Sequence, residues 1–260
     1  MAWGTIHWRS EILGKNTTMQ VLLPQVGKPP FPTLYLLHGL SDDSTTWMRN
    51  TRIECYVQSL PLVVIMPDGY RGFYTDHEQG PAYGRHLGEE MMALVERYFP
   101  LDPRRESRAI SGLSMGGYGA LRIGLKYADR FCSVHSHSGA VLYGGSESEP
   151  DYRGFLGKRG WPEERIREMV HIFGEKPQGT NHDIMHLAQQ AHRRGQLPAL
   201  SLDCGVDDFL IEENRAFARA LEKAGIPHQY QEYPGAHDWG YWDRHIQDAL
   251  SFHARNLGLV

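Results

Sequence analysis

Short apolar runs alternate along the chain with longer segments in which apolar residues recur at three- and four-residue steps. Thr33–Leu37 and Leu62–Met66 have the length and composition of buried strands. Between residues 85 and 98 the apolar positions follow the helical period, which predicts a helix with one buried face. The same criteria predict strands at 108–111, 131–137, 197–203 and 228–233, and helices at 115–127, 212–224 and 241–257.

The alternation of strands with helices is typical of βαβ units. We therefore expect an α/β fold, in which a mostly parallel central sheet carries helices on both faces. Met19–Leu23 and the N-terminal stretch are predicted to add antiparallel strands at one edge. The length of 260 residues fits a single domain spanning residues 1–260.

The rhythm of strands and helices is interrupted between residues 139 and 195. Glycine and proline are frequent there, strand signals are weak, and the segment lies between two predicted core strands. We expect an excursion within the domain that passes over the carboxyl ends of the sheet as a partial cap. A long surface loop with two helices remote from the site is the alternative.

A G-x-S-x-G pattern stands where a predicted strand passes into a predicted helix, at Gly112–Gly116. The pattern alone is common by chance, but this context is the one that a nucleophile elbow requires. In such an elbow the serine sits on a sharp strand-to-helix turn, and the flanking glycines relieve steric crowding. Ser114 is therefore the candidate nucleophile.

A serine hydroxyl needs a base at neutral pH, and in α/β-hydrolases the chain order is serine, acid, histidine. His237 follows the last predicted strand and a Pro-Gly turn, whereas His245 and His253 lie within the last predicted helix. Two adjacent aspartates, Asp207 and Asp208, follow the preceding strand. Successive residues of extended chain point to opposite sides, so we expect only one of the two to face His237.

An oxyanion hole needs one backbone N–H from the residue after the nucleophile, which is Met115, and another from a loop after an early strand. The loop His38-Gly39-Leu40 follows the predicted strand 33–37. Gly39 allows the backbone to turn inward, and Leu40 then presents its N–H. His38 precedes the nucleophile in the chain, so we expect it to orient this loop.

Composition and charge argue against several other classes of protein. The net charge of −4 is unsuited to nucleic acid or an anionic membrane as the main partner. Three widely spaced cysteines without a CxxC pair indicate reduced core thiols. No apolar stretch is long enough to span a membrane and the N-terminus shows no secretory h-region, so we expect a cytoplasmic protein.

One histidine pair has the spacing of metal ligands. His182 and His186 are four residues apart on a predicted helix and could share a face. No third ligand is evident, so we interpret them as surface histidines and predict no metal site.

Five motifs, in the same order as in the family, resemble the esterase D family of α/β-hydrolases, which includes S-formylglutathione hydrolases, tributyrin esterases and some feruloyl esterases. They are LLHGLSDDSTTW at 36–47, VVIMPDGYRGFYTD at 63–76, SGLSMGGYGAL at 111–121, DCGVDDFL at 203–210 and GAHDWGYW at 235–242. The similarity is closest to the tributyrin-esterase branch. It implies an α/β-hydrolase fold and a cytoplasmic esterase with a small acyl pocket, without a metal or organic cofactor, and often a homo-oligomer.

The resemblance also implies site residues: a triad of Ser114, Asp208 and His237, with Leu40 and Met115 as oxyanion donors. The family pattern places an apolar run directly after the triad acid, which selects Asp208 over Asp207. Phe209 and Leu210 are then expected to pack beneath the loop and hold it.

We therefore expect a serine carboxylesterase that hydrolyses short-chain acyl esters through an acyl-serine intermediate. A thioesterase of the S-formylglutathione hydrolase type, a feruloyl-type esterase or an acyltransferase would use the same triad. The loop Gly39-Leu40-Ser41-Asp42 replaces the Gly-Leu-Thr-Cys type of those thioesterases, which weakens the case for a glutathione thioester. A hydrolase-fold binding protein without turnover is disfavoured because every triad and oxyanion position is filled.

Aromatic residues flank these motifs and offer candidates for the substrate pocket. Trp47 and Tyr74 could line an acyl or phenolic pocket. Packing beneath the loops is an equal alternative for both, and packing is the expected role of Trp242.

Overall fold

The apolar runs form the strands of one central sheet in the computed structural model, which describes residues 1–141, 152–158 and 160–260. The strands are β1 (Ala2–Ser10), β2 (Lys15–Leu23), β3 (Thr33–Leu37), β4 (Val63–Pro67), β5 (Arg108–Leu113), β6 (Ser133–His137), β7 (Ala199–Gly205) and β8 (Gln229–Tyr233). Across the sheet they follow the order β1-β2-β4-β3-β5-β6-β7-β8. All pairs from β4 to β8 are parallel, and β2 runs antiparallel to both β1 and β4.

The central strands are buried on both faces. In β3, Tyr35 and Leu37 belong to one hydrophobic cluster, and Leu34 and Leu36 belong to another on the opposite face. Side chains alternate between the faces of a strand, so a strand covered on both sides needs apolar residues at nearly every position. This is why the core strands appear in the sequence as continuous apolar runs.

Helices cover both faces of the sheet. They are α1 (Thr46–Asn50), α2 (Ile53–Val57), α3 (Tyr83–Arg85), a π-helix (His86–Met91), α4 (Met92–Tyr98), α5 (Met115–Lys126), α6 (Tyr152–Lys158), α7 (Glu163–Phe173), α8 (Ile184–Arg193), α9 (Ile211–Lys223) and α10 (Trp239–Asn256). Residues of α4, α5, α8 and α9 contribute to one cluster, and residues of α1, α2 and α10 to the other. Within the described part of the chain, no helix has the length and apolar character needed to cross a membrane.

The predicted α/β class, the six core strands and the antiparallel edge are confirmed; the bounds of the core strands differ by at most two residues, and β2 begins four residues before the predicted start at Met19. β7 begins at Ala199 and not at 197, because Pro198 has no N–H to donate to the ladder. The helix predicted over 85–98 is continuous in sequence but contains the π-helical segment. At Gly88, within that segment, a Cβ would lie 2.2 Å from the ring of Tyr127, so the backbone approaches α5 closely.

The segment 139–195 combines ordinary helical packing with contacts to loops. Residues 142–151 and 159, which include Gly144, Gly145 and Pro150 of the predicted excursion, lie outside the described residues. Helix α8 packs against α5 and α9 as part of one helical layer. In α7, Glu168 accepts two hydrogen bonds of 2.7 Å from Arg71, which follows β4. The single domain and the role of this segment as a cap remain predictions.

Candidate active site

Ser114 occupies a sharp turn between the end of β5 and the first residue of α5. Its backbone has φ 53° and ψ −116°, a conformation that side-chain-bearing residues rarely adopt. Such strain costs about 1–3 kcal/mol and persists only where the surroundings enforce it. The Ser114 N–H donates to the carbonyl of His137 at 2.9 Å, and its carbonyl accepts from the Ala140 N–H at 3.0 Å. The end of β6 and the residues after it therefore hold this turn through both the N–H and the carbonyl of Ser114.

Glycines make this turn sterically possible. A Cβ on Gly112 would lie 2.3 Å from the carbonyl oxygen of Gly116, and a Cβ on Gly116 would lie 2.5 Å from the carbonyl oxygen of Leu37. Both clashes are with backbone, which has little freedom to move. The G-x-S-x-G pattern is thus a packing requirement of the elbow, because α5 starts directly against β3.

The structure brings His237 to Ser114 and Asp208. His237 lies between β8 and α10, and Asp208 lies between β7 and α9, so all three residues follow the carboxyl ends of parallel strands. The imidazole Nε2 of His237 is 3.0 Å from the Ser114 Oγ, and its Nδ1 is 2.8 Å from the Asp208 Oδ2. An ionised carboxylate only accepts hydrogen bonds, so this network assigns the ring proton to Nδ1 and leaves Nε2 to accept from the Ser114 hydroxyl.

The two aspartates differ in environment. Asp208 is 2% exposed, and its Oδ1 accepts the Leu210 N–H at 2.8 Å, which fixes the carboxylate toward His237. Asp207 is exposed, and its backbone N–H donates to the Gly235 carbonyl. Of the two candidates, only Asp208 contacts His237.

The loop after β3 reaches the elbow where the sequence analysis placed the second oxyanion donor. A Cβ on Gly39 would lie 3.7 Å from the Cβ of Ser114, so the backbone that leads into Leu40 passes beside Ser114. Met115 is the first residue of α5, and its N–H therefore has no acceptor within the helix. Asp42 lies on the same loop. Burial raises the pKa of its carboxyl, although the nearby His38 acts to lower that pKa.

His38 holds the loop, as expected. Its Nε2 accepts the Gly69 N–H at 2.8 Å, so its Nδ1 carries the proton and donates to the Gly39 carbonyl at 2.8 Å. The ring is buried and also contacts Tyr74 edge-on. This histidine links the loop His38-Gly39-Leu40, which we call the oxyanion loop after the role predicted for it, to the loop after β4.

The structure places Trp47 and Tyr74 as packing residues. Each is 1% exposed. The Trp47 indole N–H donates to the Leu37 carbonyl at 3.0 Å, and the Tyr74 hydroxyl donates to the His38 carbonyl at 3.1 Å. Both aromatics support the oxyanion loop from below and present almost no surface to a substrate.

The expectation for Phe209 was wrong. Leu210 is buried, but Phe209 is 71% exposed. Its ring centroid is 4.4 Å from that of His237, whereas the buried Trp242 contacts the same imidazole edge-on at 4.9 Å. β7 ends at Gly205, and the turn that follows it, closed by the Asp208 N–H donating to the Gly205 carbonyl at 3.1 Å, directs Asp208 inward and leaves residue 209 facing the solvent beside the histidine.

His182 and His186 do not form a ligand pair. His182 precedes α8, and its Nδ1 is 2.8 Å from the Thr75 hydroxyl. His186 lies in the first turn of α8, and its Nε2 contacts the side chain of Gln190. The two imidazoles have different partners, although His182 is buried and not at the surface as expected.

The sequence analysis missed a buried polar cluster beneath the elbow. His135 and His137 of β6 point to the same side of the sheet, and both rings contact the Asp203 carboxylate of β7 at 2.8 Å. Tyr241 donates to the other oxygen of that carboxylate at 2.9 Å. The signal was present as alternating histidines within a strand otherwise expected to be apolar, next to an aspartate inside another core strand.

Comparisons with known proteins show which family the chain belongs to. A family model described as a putative esterase matches residues 10–253. An acetyl esterase of Caldicellulosiruptor saccharolyticus is 34% identical over 265 residues, which cover 97% of this chain and 98% of that protein. An S-formylglutathione hydrolase of Paracoccus denitrificans is 24% identical and covers 98% and 94% of the two chains. The structure of FphF, a fluorophosphonate-binding serine hydrolase of Staphylococcus aureus, superimposes with a TM-score of 0.83 at 31% identity, covering 97% and 98% of the two chains.

These similarities confirm the expected family and the expected type of enzyme. The match to the family model spans nearly the whole chain, and the similarity to FphF extends over the entire sheet and its helices. The chain therefore belongs to the putative esterase family, and it is a carboxylic ester hydrolase of the serine-hydrolase type.

Proposed function

We propose that Ser114, His237 and Asp208 are the catalytic triad of a carboxylesterase that hydrolyses short-chain acyl esters. The observation that carries this proposal is the unbroken line of two hydrogen bonds, 3.0 Å from Ser114 to His237 and 2.8 Å from His237 to Asp208. Nucleophile, base and orienting acid lie within hydrogen-bond reach in the order that acyl transfer requires.

Acylation begins when the Ser114 Oγ attacks the ester carbonyl carbon and His237 Nε2 takes the hydroxyl proton. The tetrahedral intermediate then collapses, the bond to the alcohol oxygen breaks, and the imidazolium returns the proton to the leaving alcohol. Asp208 stays ionised throughout, and it stabilises the imidazolium through its hydrogen bond to Nδ1. Ser114 is left as an acyl ester.

The negative oxygen of the intermediate is assigned to the backbone N–H groups of Leu40 and Met115. Support comes from the approach of Gly39 to Ser114 and from the position of Met115 at the start of α5, where the helix dipole also favours negative charge. Water activated by His237 then attacks the acyl-serine, and the same groups release the carboxylic acid and restore the Ser114 hydroxyl.

The preference for short acyl chains rests on similarity. The relative that is 34% identical over 97% of this chain is named an acetyl esterase. We expect esters with acyl chains of roughly two to six carbons to be preferred, because a small pocket gains little transfer free energy from further methylenes. A feruloyl ester and an acyl thioester are the comparison substrates, since the first changes the acyl group and the second the leaving group while the acyl-serine chemistry stays the same.

The deciding experiment combines covalent labelling with turnover. The wild-type protein should react with a fluorophosphonate probe and hydrolyse p-nitrophenyl acetate and butyrate, and Ser114→Ala should lose both activities. His237→Ala should lose turnover comparably, because no other base contacts Ser114 in the described structure. Ser251→Ala, which alters an exposed serine of α10, is the matched control and should behave as wild type. Labelling that persists in Ser114→Ala would refute the assignment, and best turnover on a twelve-carbon ester would refute the preference for short chains.

Location and assembly stay predictions of the same proposal. We expect a cytoplasmic enzyme that acts on small-molecule esters, needs no cofactor, does not bind nucleic acid or membranes, and forms a homo-oligomer. Cell fractionation and light scattering of the purified protein are the measurements that check these expectations.

A further inference from the structure

A buried carboxylate that the proposed reaction does not use lies beneath the triad. Asp203 of β7 is 2% exposed, and each of its oxygens is hydrogen-bonded. Oδ2 accepts from His135 Nε2 and His137 Nδ1, both at 2.8 Å, and Oδ1 accepts from the Tyr241 hydroxyl at 2.9 Å. We call these four residues the Asp203 cluster.

The charge state of the cluster follows from its surroundings. Burial alone would raise the pKa of Asp203, but His137 and His135 outweigh that effect and hold the pKa below its usual range. Burial lowers the pKa of His135 to about 4, and the neighbouring His137 acts in the same direction. Asp203 is therefore an anion, and His135 is neutral at pH 7. A buried anion is costly unless it is fully hydrogen-bonded, so its three donors are tightly constrained.

The cluster adjoins the elbow of Ser114 through β6. The carbonyl of His137 accepts the Ser114 N–H at 2.9 Å, and the carbonyl of Asp203 accepts the Ser138 N–H at 2.8 Å. The hydroxyl of Ser138 in turn accepts the indole N–H of Trp242, whose ring contacts His237. Asp203 thus holds the end of β6 through both its side chain and its backbone. The same end of β6 accepts the N–H of Ser114 and so fixes the strained turn.

The cluster also adjoins the loop of His237. Tyr241 lies in the first turn of α10, and its N–H donates to the Asp238 carboxylate, the side chain next to His237. A Cβ on Gly235 would lie 2.7 Å from the Tyr241 ring, and a Cβ on Gly205 would lie 2.3 Å from the Gly235 carbonyl oxygen. The loop of His237 therefore packs between the end of β7 and the Tyr241 ring, and the position of that ring sets the position of the loop.

We propose that Asp203 is a positioning residue for catalysis: by accepting the Tyr241 hydroxyl and the His137 N–H, it fixes the loop of His237 relative to the elbow of Ser114. The proposal rests on the proposed triad. The hydrogen bond of 3.0 Å between Ser114 and His237 tolerates only a small displacement of either residue. A displacement of about 1 Å between reacting groups can lower a rate on the order of a hundredfold.

The same three residues also have the composition of a metal site, since the ligand atoms of His135, His137 and Asp203 lie within 4.8 Å of one another. Their chemistry favours the hydrogen-bonded network. Metal-bound histidines almost always donate their second ring N–H to a partner, but His135 Nδ1 and His137 Nε2 are buried without a hydrogen-bond partner among the described residues. A metal would have to transfer the protons to these two nitrogens.

The test uses Tyr241→Phe, which removes one hydroxyl and keeps the ring that packs on Gly235. Initial rates with p-nitrophenyl acetate are divided by the concentration of sites titrated with a fluorophosphonate. We expect kcat per titrated site to fall about tenfold or more while KM changes less than about twofold. A displacement of the base His237 slows proton transfer but does not move the groups that bind the substrate. A purely structural role would lower the melting temperature and the number of titrated sites but leave kcat per site unchanged.

Tyr233→Phe is the matched control. Its hydroxyl is hydrogen-bonded to Gln231 on the exposed side of β8, so kcat per site should equal that of wild type. Asp203→Asn should reduce kcat per site at least as much as Tyr241→Phe, and the double variant should be no worse than Asp203→Asn alone, because both changes break the same contact. If Asp203→Asn does not fold, Tyr241→Phe decides the question alone.

The outcomes separate this inference from the proposed function. A Tyr241→Phe enzyme that keeps more than half of the wild-type kcat per site overturns the positioning role, while inactive Ser114→Ala and His237→Ala variants would still support the triad. If Ser114→Ala remains active, the proposed function fails first, and the positioning role fails with it. An equal loss in Tyr233→Phe would also overturn the inference.

Discussion

Asp207 and Asp208 are neighbours in the chain, yet their side chains lie in different surroundings. Asp208 is buried and contacts His237, whereas Asp207 is exposed to solvent. The sequence analysis expected only one of them to face His237, on the alternation of extended chain. One aspartate does so, but β7 ends at Gly205 and both aspartates lie in the turn after it, so the geometry of that turn sets the inward Asp208 and the outward Phe209.

At this scale, Asp208→Asn should lower kcat by about 10⁴, as is known for triads in which the amide favours the wrong tautomer of the histidine. Asp207→Asn is the control on the same loop and should cost less than about tenfold, because its carboxylate contacts neither His237 nor Ser114. Steady-state kinetics with p-nitrophenyl acetate measures both variants. A large loss confined to Asp207→Asn would reverse the assignment.

The roles of Trp47 and Tyr74 could not be predicted from the sequence alone. Their positions in the motifs beside the oxyanion loop and after β4 were informative, but a motif does not specify whether a ring faces the substrate or the core. That choice depends on which backbone carbonyls are within reach, here those of Leu37 and His38. Such contacts arise between segments distant in sequence and become visible only in the fold.

The elements of the sheet and the elbow were largely predictable, because buried parallel strands need continuous apolar runs and the elbow needs glycines at fixed positions. Three features were less accessible. Pro198 shifted the start of β7, the π-helical segment replaced part of a regular helix, and the histidines of β6 formed a polar cluster inside the core. The start of β7 follows from Pro198 itself, which the apolar pattern does not register, whereas the π-helical segment and the polar cluster depend on contacts between elements.

For the elbow, Gly116→Ala should be strongly disruptive. Its Cβ would lie 2.5 Å from the Leu37 carbonyl oxygen and 2.6 Å from that of His38, so the elbow and the oxyanion loop would be forced apart. We expect a loss of about 1–3 kcal/mol in the free energy of unfolding, as for other overpacked sites, together with a lower kcat. Chemical denaturation and kinetics measure both quantities.

Gly4→Ala is the control for this substitution, since a Cβ at Gly4 in the edge strand would meet no atom within 4 Å. It should leave stability and kcat close to wild type. A Gly116→Ala enzyme with wild-type stability and turnover would show that the close approach of α5 to β3 is not required.

For the polar cluster of β6, chelators should have no effect. The proposed reaction uses only Ser114, His237, Asp208 and backbone N–H groups, and the Asp203 carboxylate already accepts three hydrogen bonds from protein groups. We expect EDTA to leave kcat unchanged and elemental analysis to find no stoichiometric metal in the purified protein. Inhibition by EDTA that added zinc reverses would instead assign ligand roles to His135 and His137.

On the scale of the whole molecule, the fold gathers Ser114, Asp208 and His237 at the carboxyl ends of the parallel strands and buries several histidines in its core. Ser114, Asp208 and His237 come from three loops, and Ser114 and His237 are 123 residues apart in the sequence, so parallel strand order is what brings them together. Buried histidines lie in β6, in α10 and in the segment that precedes α8, as His135, His253 and His182 show. Their burial makes the stability of the protein depend on pH.

Stability should therefore decrease on mild acidification. Burial lowers the pKa of His135 to about 4 and that of His182 to about 4, and it holds the pKa of His253 well below its usual 6.5. Between pH 6.5 and about 4, the unfolded chain binds protons that the folded protein does not. The free energy of unfolding then falls as pH falls, by up to about 1.4 kcal/mol per pH unit for each such histidine, and it is fully retained above pH 6.5.

Melting temperatures recorded at fixed ionic strength from pH 8 to 4 measure this dependence. His182→Gln should flatten the curve between pH 6.5 and 4, because it removes one group that the unfolded chain would protonate, even where it lowers stability at pH 8. His7→Gln, which replaces an exposed histidine of β1, should leave the shape of the curve unchanged. If His182→Gln and wild type lose stability in parallel over this range, His182 is protonated equally in both states, and its burial does not control the response to acid.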